Sequence, residues 1–197
     1  MTKRPEFIVV AGPNGAGKSR LCPFYIRSAS FDGDKLALQL RKEHPEWPEY
    51  WITGSVALEL EKKENEALTS KHDFAFETNF SNEMVVDMIR EFKNAGFKIS
   101  LCYFGLDSED ESVSRVIHRS QTGGHDVTDE VIRFNYNEGL KKTKQHLPLF
   151  ENLTFIDGSS GFGRIIAIHL TKSHIHEVIE NPPLWFTKQF KEAFEAL

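Results

Sequence analysis

The sequence predicts an α/β domain in which a mainly parallel β-sheet carries helices on both faces. Strand-like and helix-like segments alternate along the 197 residues. The strand-like segments are unbroken apolar runs, as a sheet buried on both faces requires. The length suits one domain, and no repeat or low-complexity linker divides the chain. We therefore expect residues 1–197 to form a single domain.

Apolar runs and helical periodicity predict the elements in order. Short apolar runs bounded by turn residues predict strands at Phe7–Ala11, Ala29–Phe31, Phe74–Phe76, Phe97–Phe104, Leu153–Ile156 and Ile165–Ile168. Helical spacing and capping residues predict helices that begin near Lys18, Asp34, Ser81, Ser108 and Thr128. The first of these helices is expected to extend to about Arg27. His44-Pro45 to Trp47-Pro48 interrupts the helical pattern, and a longer amphipathic helix is indicated by Val56, Leu58, Leu60 and Leu68.

The end of the chain predicts a helical appendage over about residues 172–197. A helix is expected after Pro182 and Pro183, and it carries the aromatic residues Trp185, Phe186, Phe190 and Phe194. We expect this aromatic face to pack on the core; the alternative is an exposed interaction surface.

Composition excludes several classes of protein. The chain has 24 Lys and Arg against 29 Asp and Glu, a net charge of −5, which disfavours sequence-independent binding to nucleic acid. Cys22 and Cys102 cannot build a disulfide framework, and the histidines show no zinc-type spacing. The apolar run Phe7–Ala11 is too short for a signal peptide or a membrane span. We expect a cytoplasmic protein with no membrane partner.

A phosphate-binding pattern lies between the first predicted strand and helix. Residues 12–19 match G-x-x-x-x-G-K-[ST]. The predicted nucleotide-binding residues are therefore Gly12, Pro13, Asn14, Gly15, Ala16, Gly17, Lys18 and Ser19. The glycines let backbone N–H groups surround a phosphate. Lys18 supplies a positive charge to the terminal phosphates, and the Ser19 hydroxyl is a hard oxygen ligand for Mg²⁺.

Other classes of phosphate-loop protein carry further motifs. A GTPase should carry a base-reading Asn-Lys-x-Asp, and a transporter ATPase a Leu-Ser-Gly-Gly-Gln-like signature, but neither occurs in this chain. We therefore expect a compact kinase, in which an arginine-bearing lid closes over the phosphates.

Polar residues follow the second and third predicted strands. In a doubly wound sheet the carboxyl ends of neighbouring strands face one crevice. We predict that Asp34 is catalytic and accepts the proton of a substrate hydroxyl, and that Asp32 binds substrate or holds Mg²⁺ through water. Glu77, Thr78 and Asn79 are predicted to bind a polar substrate. The alternative for each group is capping of the helix that follows.

Arginines near a glycine pair predict a lid at about residues 115–135. Arg115 and Arg119 lie four residues apart on one predicted helix face. We predict both to be catalytic, Arg119 and Arg133 to bind nucleotide, and His125 to bind substrate. The alternative is that the arginines are solvated surface residues.

Four segments together resemble the zeta-toxin family of P-loop kinases. They are Ala11–Ser19, the Asp-Gly-Asp turn at residues 32–34, Phe74–Thr78, and Gly123–Val127 with the Ile-Arg that follows. The resemblance covers about Phe7 to Ser159. It implies a P-loop kinase-type three-layer sandwich with a helical lid.

The resemblance also implies an activity. It implies an ATP- and Mg²⁺-dependent kinase that phosphorylates a hydroxyl of a small phosphorylated metabolite, in the family the 3′-hydroxyl of UDP-N-acetylglucosamine. Asp34 would be the base, and Glu77 and Thr78 would help to seat the nucleotide sugar. A small antitoxin protein would be the partner of such a toxin. Relatives often carry paired arginines where this chain has Phe134 and Asn135. The alternatives are a polynucleotide or nucleotide kinase and a non-catalytic ATP-binding module.

Overall fold

The computed structural model describes residues 3–120 and 127–197. Within these residues the strands are β1 Glu6–Ala11, β2 Ser30–Phe31, β3 Phe74–Thr78, β4 Lys98–Gly105, β5 Asn152–Asp157, β6 Arg164–Leu170 and β7 Ile175–Val178. The helices are α1 Lys18–Leu21, α2 Gly33–Glu43, α3 Glu49–Ser70, α4 Met84–Asn94, α5 Glu109–Ser120, α6 Asp129–His146, α7 Leu184–Gln189 and α8 Lys191–Glu195. No helix in these two ranges has the length and apolar content needed to span a bilayer.

All seven strands form one sheet in the order β2-β3-β1-β4-β5-β6-β7. Neighbouring strands from β2 to β5 are parallel, whereas β6 and β7 run antiparallel to their neighbours. After β1 the chain forms β2 and β3 on one side of this strand, and it then crosses to β4 on the other side. Because the direction of winding reverses next to β1, a crevice is expected at the carboxyl end of this strand.

One face of the sheet is covered by α4 and the C-terminal helices. The strand register places Phe7, Tyr103 and Phe155 on this face. The Phe7 ring stacks on Phe92 of α4 with centroids 4.2 Å apart. The rings of Tyr103 and Phe155 lie 4.9 and 5.0 Å from the ring of Phe190. Such aromatic pairs stabilise the core beyond the burial of their area.

The opposite face carries the segment that follows α1. Phe104 points to this face because side chains alternate along a strand, and its ring lies 5.8 Å from the ring of Tyr25. Helical segments therefore cover both faces of a mainly parallel sheet, and the predicted fold class is confirmed.

The first helix is shorter than predicted. It ends at Leu21 instead of about Arg27, and a 3-10 turn over Cys22–Phe24 follows it. Pro23 explains the difference, because proline lacks the N–H that would continue an α-helical ladder.

The C-terminal segment differs from a helical appendage. Residues 175–178 form strand β7, which pairs with β6 at the edge of the sheet. The expected aromatic packing is present, since Trp185, Phe186, Phe190 and Phe194 are all buried. They lie on two short helices, however, with Phe190 at the break between them. The four residues of β7 are too few to show a distinctive alternation in sequence.

Glu64 of α3 supports a prediction about pH and stability. Burial, together with the charges of Glu91 and Glu61, raises the pKa of Glu64 from 4.5 to about 7. The folded state therefore binds this proton more tightly than the unfolded state, and stability is lost as pH rises from about 4.5 to 7. Since glutamine resembles the protonated acid, Glu64→Gln is expected to stabilise the fold at pH 8 by about 1 kcal/mol after solvent screening.

Urea unfolding at a low and a high pH checks this expectation. The gain in stability from Glu64→Gln should vanish near pH 4, because Glu64 is then protonated and carries no charge, like the glutamine that replaces it. Glu180→Gln, at an exposed position, is the control and should show no such difference. An equal effect of the two substitutions at pH 8 would contradict the prediction.

Candidate active site

Residues 12–19 form a tight loop between β1 and α1. Gly12, Gly15 and Gly17 have φ values of 141°, 77° and 84°, which side chains rarely adopt. A Cβ on Gly12 would lie 2.1 Å from the carbonyl oxygen of Phe104, and one on Gly15 would lie 2.9 Å from Cβ of Arg115. Glycine is therefore required both for the turn and for the close approach of the loop to β4 and α5.

Lys18 lies against the loop to which it belongs. Its Nζ donates to the carbonyl oxygens of Gly12 at 2.8 Å and Pro13 at 3.1 Å, and to Oδ1 of Asn79 at 3.2 Å. Burial lowers the pKa of Lys18, and the nearby carboxylates, Glu77 first, oppose that shift. The ammonium is thus preorganised at the carboxyl ends of β1 and β3, where phosphate oxygens would compensate its desolvation.

Two carboxylates converge on the hydroxyl of Ser19. Its Oγ lies 2.9 Å from Oδ2 of Asp32 and 2.9 Å from Oε1 of Glu77. Oε2 of Glu77 is buried and has no hydrogen-bond partner among the described residues. Burial raises the pKa of Glu77, while Lys18 opposes that shift. A buried oxygen without a donor, beside a hydroxyl and a second carboxylate, fits the hard-oxygen ligand set that Mg²⁺ prefers.

Asp32 also caps α2, since its Oδ1 accepts a hydrogen bond from the backbone N–H of Lys35 at 3.0 Å. The alternative considered for this residue is therefore present in the fold. It does not compete with the contact to Ser19, because that contact uses the other carboxylate oxygen.

Asp34 lies between two cavities. The larger, about 540 Å³, is lined by five residues of the phosphate loop and by four arginine and lysine residues outside it. These are Asn14, Gly15, Gly17, Lys18 and Ser19, and Arg20, Lys35, Arg115 and Arg119. The smaller, about 280 Å³, extends toward α3 and Met84. Both cavities share Lys18, Asp32, Asp34 and Glu77. The carboxylate of Asp34, in the first turn of α2, is thus accessible from both cavities.

Thr78 and Asn79 also line the smaller cavity. Oγ1 of Thr78 accepts a hydrogen bond from the N–H of Phe80 at 2.9 Å, so this side chain also stabilises the turn after β3. Asn79 places its Oδ1 against Lys18.

Pro13 and Ala16 close a turn within the phosphate loop, because the carbonyl oxygen of Pro13 accepts a hydrogen bond from the N–H of Ala16 at 3.3 Å.

The predicted lid arginines separate into different environments. Arg115 donates to the carbonyl oxygens of Gly158 at 2.9 Å and Ser159 at 2.7 Å, and pairs with Glu111 at 2.7 Å. It therefore ties α5 to the loop after β5. Arg119 lines the larger cavity.

Arg133 is held outside both cavities. Its guanidinium pairs with Glu109 at 2.9 Å and Asp110 at 2.6 Å, in the first turn of α5. The structure thus does not bring Arg133 to the phosphate loop. His125 lies outside the described residues.

Arg115 is expected to stabilise the fold more than Arg133 does. Arg115→Ala leaves the carbonyls of Gly158 and Ser159 without a charged donor, and a loss of about 2 kcal/mol in unfolding free energy is expected. Arg133→Ala removes only exposed ion pairs and should have a much smaller effect. Chemical denaturation of the two variants checks this order. Equal losses would show that the contacts of Arg115 do not secure this loop.

Sequence reasoning noted Asn135 of α6 as a position where relatives often carry an arginine, but missed its contact with the phosphate loop. Its Nδ2 donates to Oδ1 of Asn14 at 3.1 Å, and its Oδ1 accepts from Oγ of Ser81 at 2.9 Å. Asn135 thereby links the phosphate loop to the start of the segment before α4. Its partner Asn14 is 121 residues away, so no local pattern could signal the contact.

Sequence reasoning also missed one face of α3. Thr53, Val56, Ala57 and Leu60 line the smaller cavity. Helical spacing indicated an amphipathic helix that includes Leu58, yet Leu58 is 68 % exposed. The periodicity locates a face on the helix but does not say whether a core or a cavity lies opposite.

Known proteins of similar sequence and structure provide the comparison. A Haemophilus influenzae protein described as "Uncharacterized protein" is 25 % identical over 131 residues, which cover 66 % of this chain and 91 % of that protein. The AvrRxo1-ORF1:AvrRxo1-ORF2 crystal structure with sulphate ions has a TM-score of 0.70 at 14 % identity. The match covers 94 % of this chain and 63 % of that chain, so this chain spans less than two thirds of its neighbour.

Two further structures have the same fold. The AvrRxo1-ORF1:-ORF2 structure with ATP has a TM-score of 0.69 at 15 % identity and covers 89 % of this chain and 60 % of that chain. A structure of the PezAT chromosomal toxin-antitoxin system of Streptococcus pneumoniae has a TM-score of 0.67 at 16 % identity, covering 99 % of this chain and 84 % of that chain. The model of the family described as "Zeta toxin" matches residues 1–159, which confirms the resemblance drawn from the phosphate loop and the motifs after it: the chain belongs to the Zeta toxin family.

Proposed function

We propose that this protein is a kinase that transfers the γ-phosphoryl group of ATP to a hydroxyl of a small molecule. The observation that carries this proposal is the position of Asp34, which lines both the cavity of the phosphate loop and the cavity beside α3. A donor in the first and an acceptor in the second would meet at this carboxylate. Family membership and the ATP named for the AvrRxo1 complex support the choice of nucleotide.

The phosphate loop would bind the triphosphate. Its backbone N–H groups would surround the phosphates, and Lys18 and Arg119 would neutralise their charge. The Arg115 contacts would keep the loop after β5 next to the phosphate loop. In this proposal the lid spans about residues 115–135 of one kinase domain.

Ser19 and Glu77 would hold Mg²⁺, with Asp32 as a further ligand directly or through water. The buried Oε2 of Glu77 is the observation that supports this assignment. No three His, Cys, Asp or Glu of residues 3–120 and 127–197 converge on one metal position, so a hydroxyl, phosphates and water would complete the set. When bound, Mg²⁺ would neutralise charge on the phosphates.

Asp34 would act as the base. The acceptor hydroxyl gives its proton to Asp34 while its oxygen forms a bond to the γ-phosphorus. The bond between that phosphorus and the β–γ bridging oxygen breaks, and ADP leaves with the electron pair. The proton then passes from Asp34 to water. Lys18 and Arg119 stabilise the charge that spreads over the transferred group.

The acceptor and the protein partner in this proposal follow from the family resemblance. A nucleotide sugar such as UDP-N-acetylglucosamine is the acceptor that the resemblance implies, and an antitoxin is the protein partner. The PezAT neighbour is part of a toxin-antitoxin system, which supports a search for such a partner. We place the reaction in the cytoplasm, where ATP and Mg²⁺ are available.

Phosphoryl transfer from labelled ATP tests the proposal. The full chain is incubated with γ-labelled ATP, Mg²⁺ and a cell-extract metabolite pool, and labelled products are separated by chromatography. We expect label on a small molecule. An oligonucleotide added in parallel should remain unlabelled, which distinguishes a metabolite kinase from a polynucleotide kinase. ATP binding without transfer to any acceptor would contradict the proposal.

A further inference from the structure

Two histidines face each other across strands β6 and β7. His169 of β6 is opposite His176 of β7 in the antiparallel register, so both side chains lie on the same face of the sheet. Their Nδ1 atoms are 2.9 Å apart. Two ring nitrogens at this distance either share one proton or offer two lone pairs to one metal ion.

The histidine pair lies beside the last helix. The ring of His176 stacks on Phe194 of α8, with centroids 4.4 Å apart and an interplanar angle of 17°. The ring of His169 lies 6.4 Å from the same phenylalanine. His169 is half-buried, whereas His176 is exposed. Packing therefore restricts both rings, and the pair remains accessible from solvent.

Thr171, directly after β6, determines which nitrogen of His169 carries the proton. Its hydroxyl donates to the carbonyl oxygen of Glu151, which lies 2.6 Å from Oγ1. Because the hydroxyl proton is used there, the 3.3 Å contact between Oγ1 and Nε2 of His169 requires Nε2–H as the donor. In the neutral ring Nδ1 then carries a lone pair. Histidines that bind metals are commonly oriented by such a partner on the second nitrogen.

The ring of His169 is in the neutral form that a metal requires. Burial, and then the charge of His176, lowers the pKa of His169 from its usual value of 6.5, so the imidazole is uncharged near pH 7. His176 offers a second lone pair on Nδ1 when its own proton is on Nε2. Both nitrogens can thus act as ligands without the loss of a proton from either neutral ring.

The spacing of the two nitrogens suits chelation of one ion. Imidazole nitrogens bind divalent transition metals at about 2.0–2.1 Å, so two of them 2.9 Å apart would subtend about 90° at the ion. Adjacent ligands of tetragonal Ni²⁺ and Cu²⁺ sites have this angle. No three His, Cys, Asp or Glu converge on one position within residues 3–120 and 127–197. Water would therefore complete the coordination.

We propose that His169 and His176 bind a divalent transition-metal ion that prefers imidazole ligands, such as Ni²⁺ or Cu²⁺, through their Nδ1 atoms. The ion would join β6 to β7 at the edge of the sheet and, through the stack on Phe194, stabilise α8. The site is separate from the proposed kinase chemistry, because β4 and β5 lie between β6 and the strand that leads into the phosphate loop.

Titration calorimetry with NiCl₂ tests the proposal. The untagged full chain is titrated without nucleotide and with excess Mg²⁺, which prefers oxygen ligands and would occupy the carboxylates of the phosphate-loop cavity. His176→Phe keeps an aromatic ring for Phe194 but has no lone pair. We expect it to weaken Ni²⁺ binding by at least about tenfold, the lower bound for losing even an outer partner of a ligand. His72→Phe, at an exposed position after α3, is the matched control and should bind Ni²⁺ as the unsubstituted chain does.

Thermal unfolding gives a second readout. An ion that binds only the folded state raises the unfolding midpoint, so Ni²⁺ should raise the midpoint of the unsubstituted chain and of His72→Phe but not that of His176→Phe. If His176→Phe does not fold, Thr171→Val replaces it, because valine cannot accept from Nε2–H of His169; its Ni²⁺ affinity should fall by about tenfold. Absence of Ni²⁺ binding by the unsubstituted chain, or an equal Ni²⁺ affinity of that chain and the variant, would overturn the proposal.

Discussion

Lys18→Ala is expected to lower phosphoryl transfer by about a thousandfold, because the substitution removes the charge that the phosphate loop holds for the terminal phosphates. The ammonium has its contacts with Gly12, Pro13 and Asn79 before any nucleotide binds. Little reorganisation is therefore needed at the moment of transfer. ATP affinity should fall as well, since the same charge acts on the bound triphosphate.

The fold should tolerate this change. Burial lowers the pKa of Lys18, which means that its charge is held at a desolvation cost in the free protein. Its removal relieves that cost but leaves the carbonyl oxygens of Gly12 and Pro13 without this donor, so we expect a net loss of about 1 kcal/mol in unfolding free energy, which leaves the variant folded. Initial rates with labelled ATP and titration calorimetry with a non-hydrolysable analogue separate turnover from binding. Lys93→Ala, at an exposed position on α4, is the control. Full transfer by Lys18→Ala would exclude the phosphate loop as the catalytic site.

Much of the site could be predicted because its signals are local in sequence. The glycine spacing of residues 12–19 dictates a loop that needs positive φ values, and the structure has them at three glycines. Asp32 and Glu77 each follow a strand of a parallel sheet. The rule that neighbouring parallel strands end at one crevice was therefore enough to expect these carboxylates at the same edge of the sheet, and the structure places both beside Ser19.

The arginines were harder to assign because their roles depend on tertiary partners. Arg115 and Arg133 have the same side chain and lie near the same predicted lid. One donates to carbonyl oxygens beside the phosphate loop, and the other pairs with acidic residues of α5. A guanidinium is satisfied by either environment. Sequence spacing therefore could not distinguish a residue that secures the loop from one that contacts nucleotide.

The smaller cavity beside α3 could not be predicted from the sequence for a related reason. Val56 and Leu60 have the spacing of a core-facing stripe, and such a stripe looks the same whether it covers protein or an empty space. The strand β7 escaped prediction because four residues at the sheet edge show too little alternation. Both cases depend on which distant segment packs opposite.

Asp34→Asn is expected to lower kcat by a factor of roughly 10² to 10⁴, the range for loss of a general base. The amide keeps the size of the carboxylate but cannot accept the proton of the acceptor hydroxyl. ATP affinity should change little, because the phosphate loop, Lys18 and Ser19 are unaltered. The loss of a negative charge in the first turn of α2 should reduce stability by less than about 1 kcal/mol.

Asp32→Asn is the matched comparison for this prediction. Asparagine is as good an N-cap as aspartate, so the capping of α2 should persist while the carboxylate beside Ser19 is lost. We expect Asp32→Asn to raise the Mg²⁺ concentration needed for half-maximal rate, and Asp34→Asn to lower the rate at saturating Mg²⁺. If Asp34→Asn kept a kcat within a few-fold of the unsubstituted chain while Asp32→Asn lost it, the base would be Asp32. The acceptor would then have to approach from the side of Ser19 instead of from the cavity beside α3.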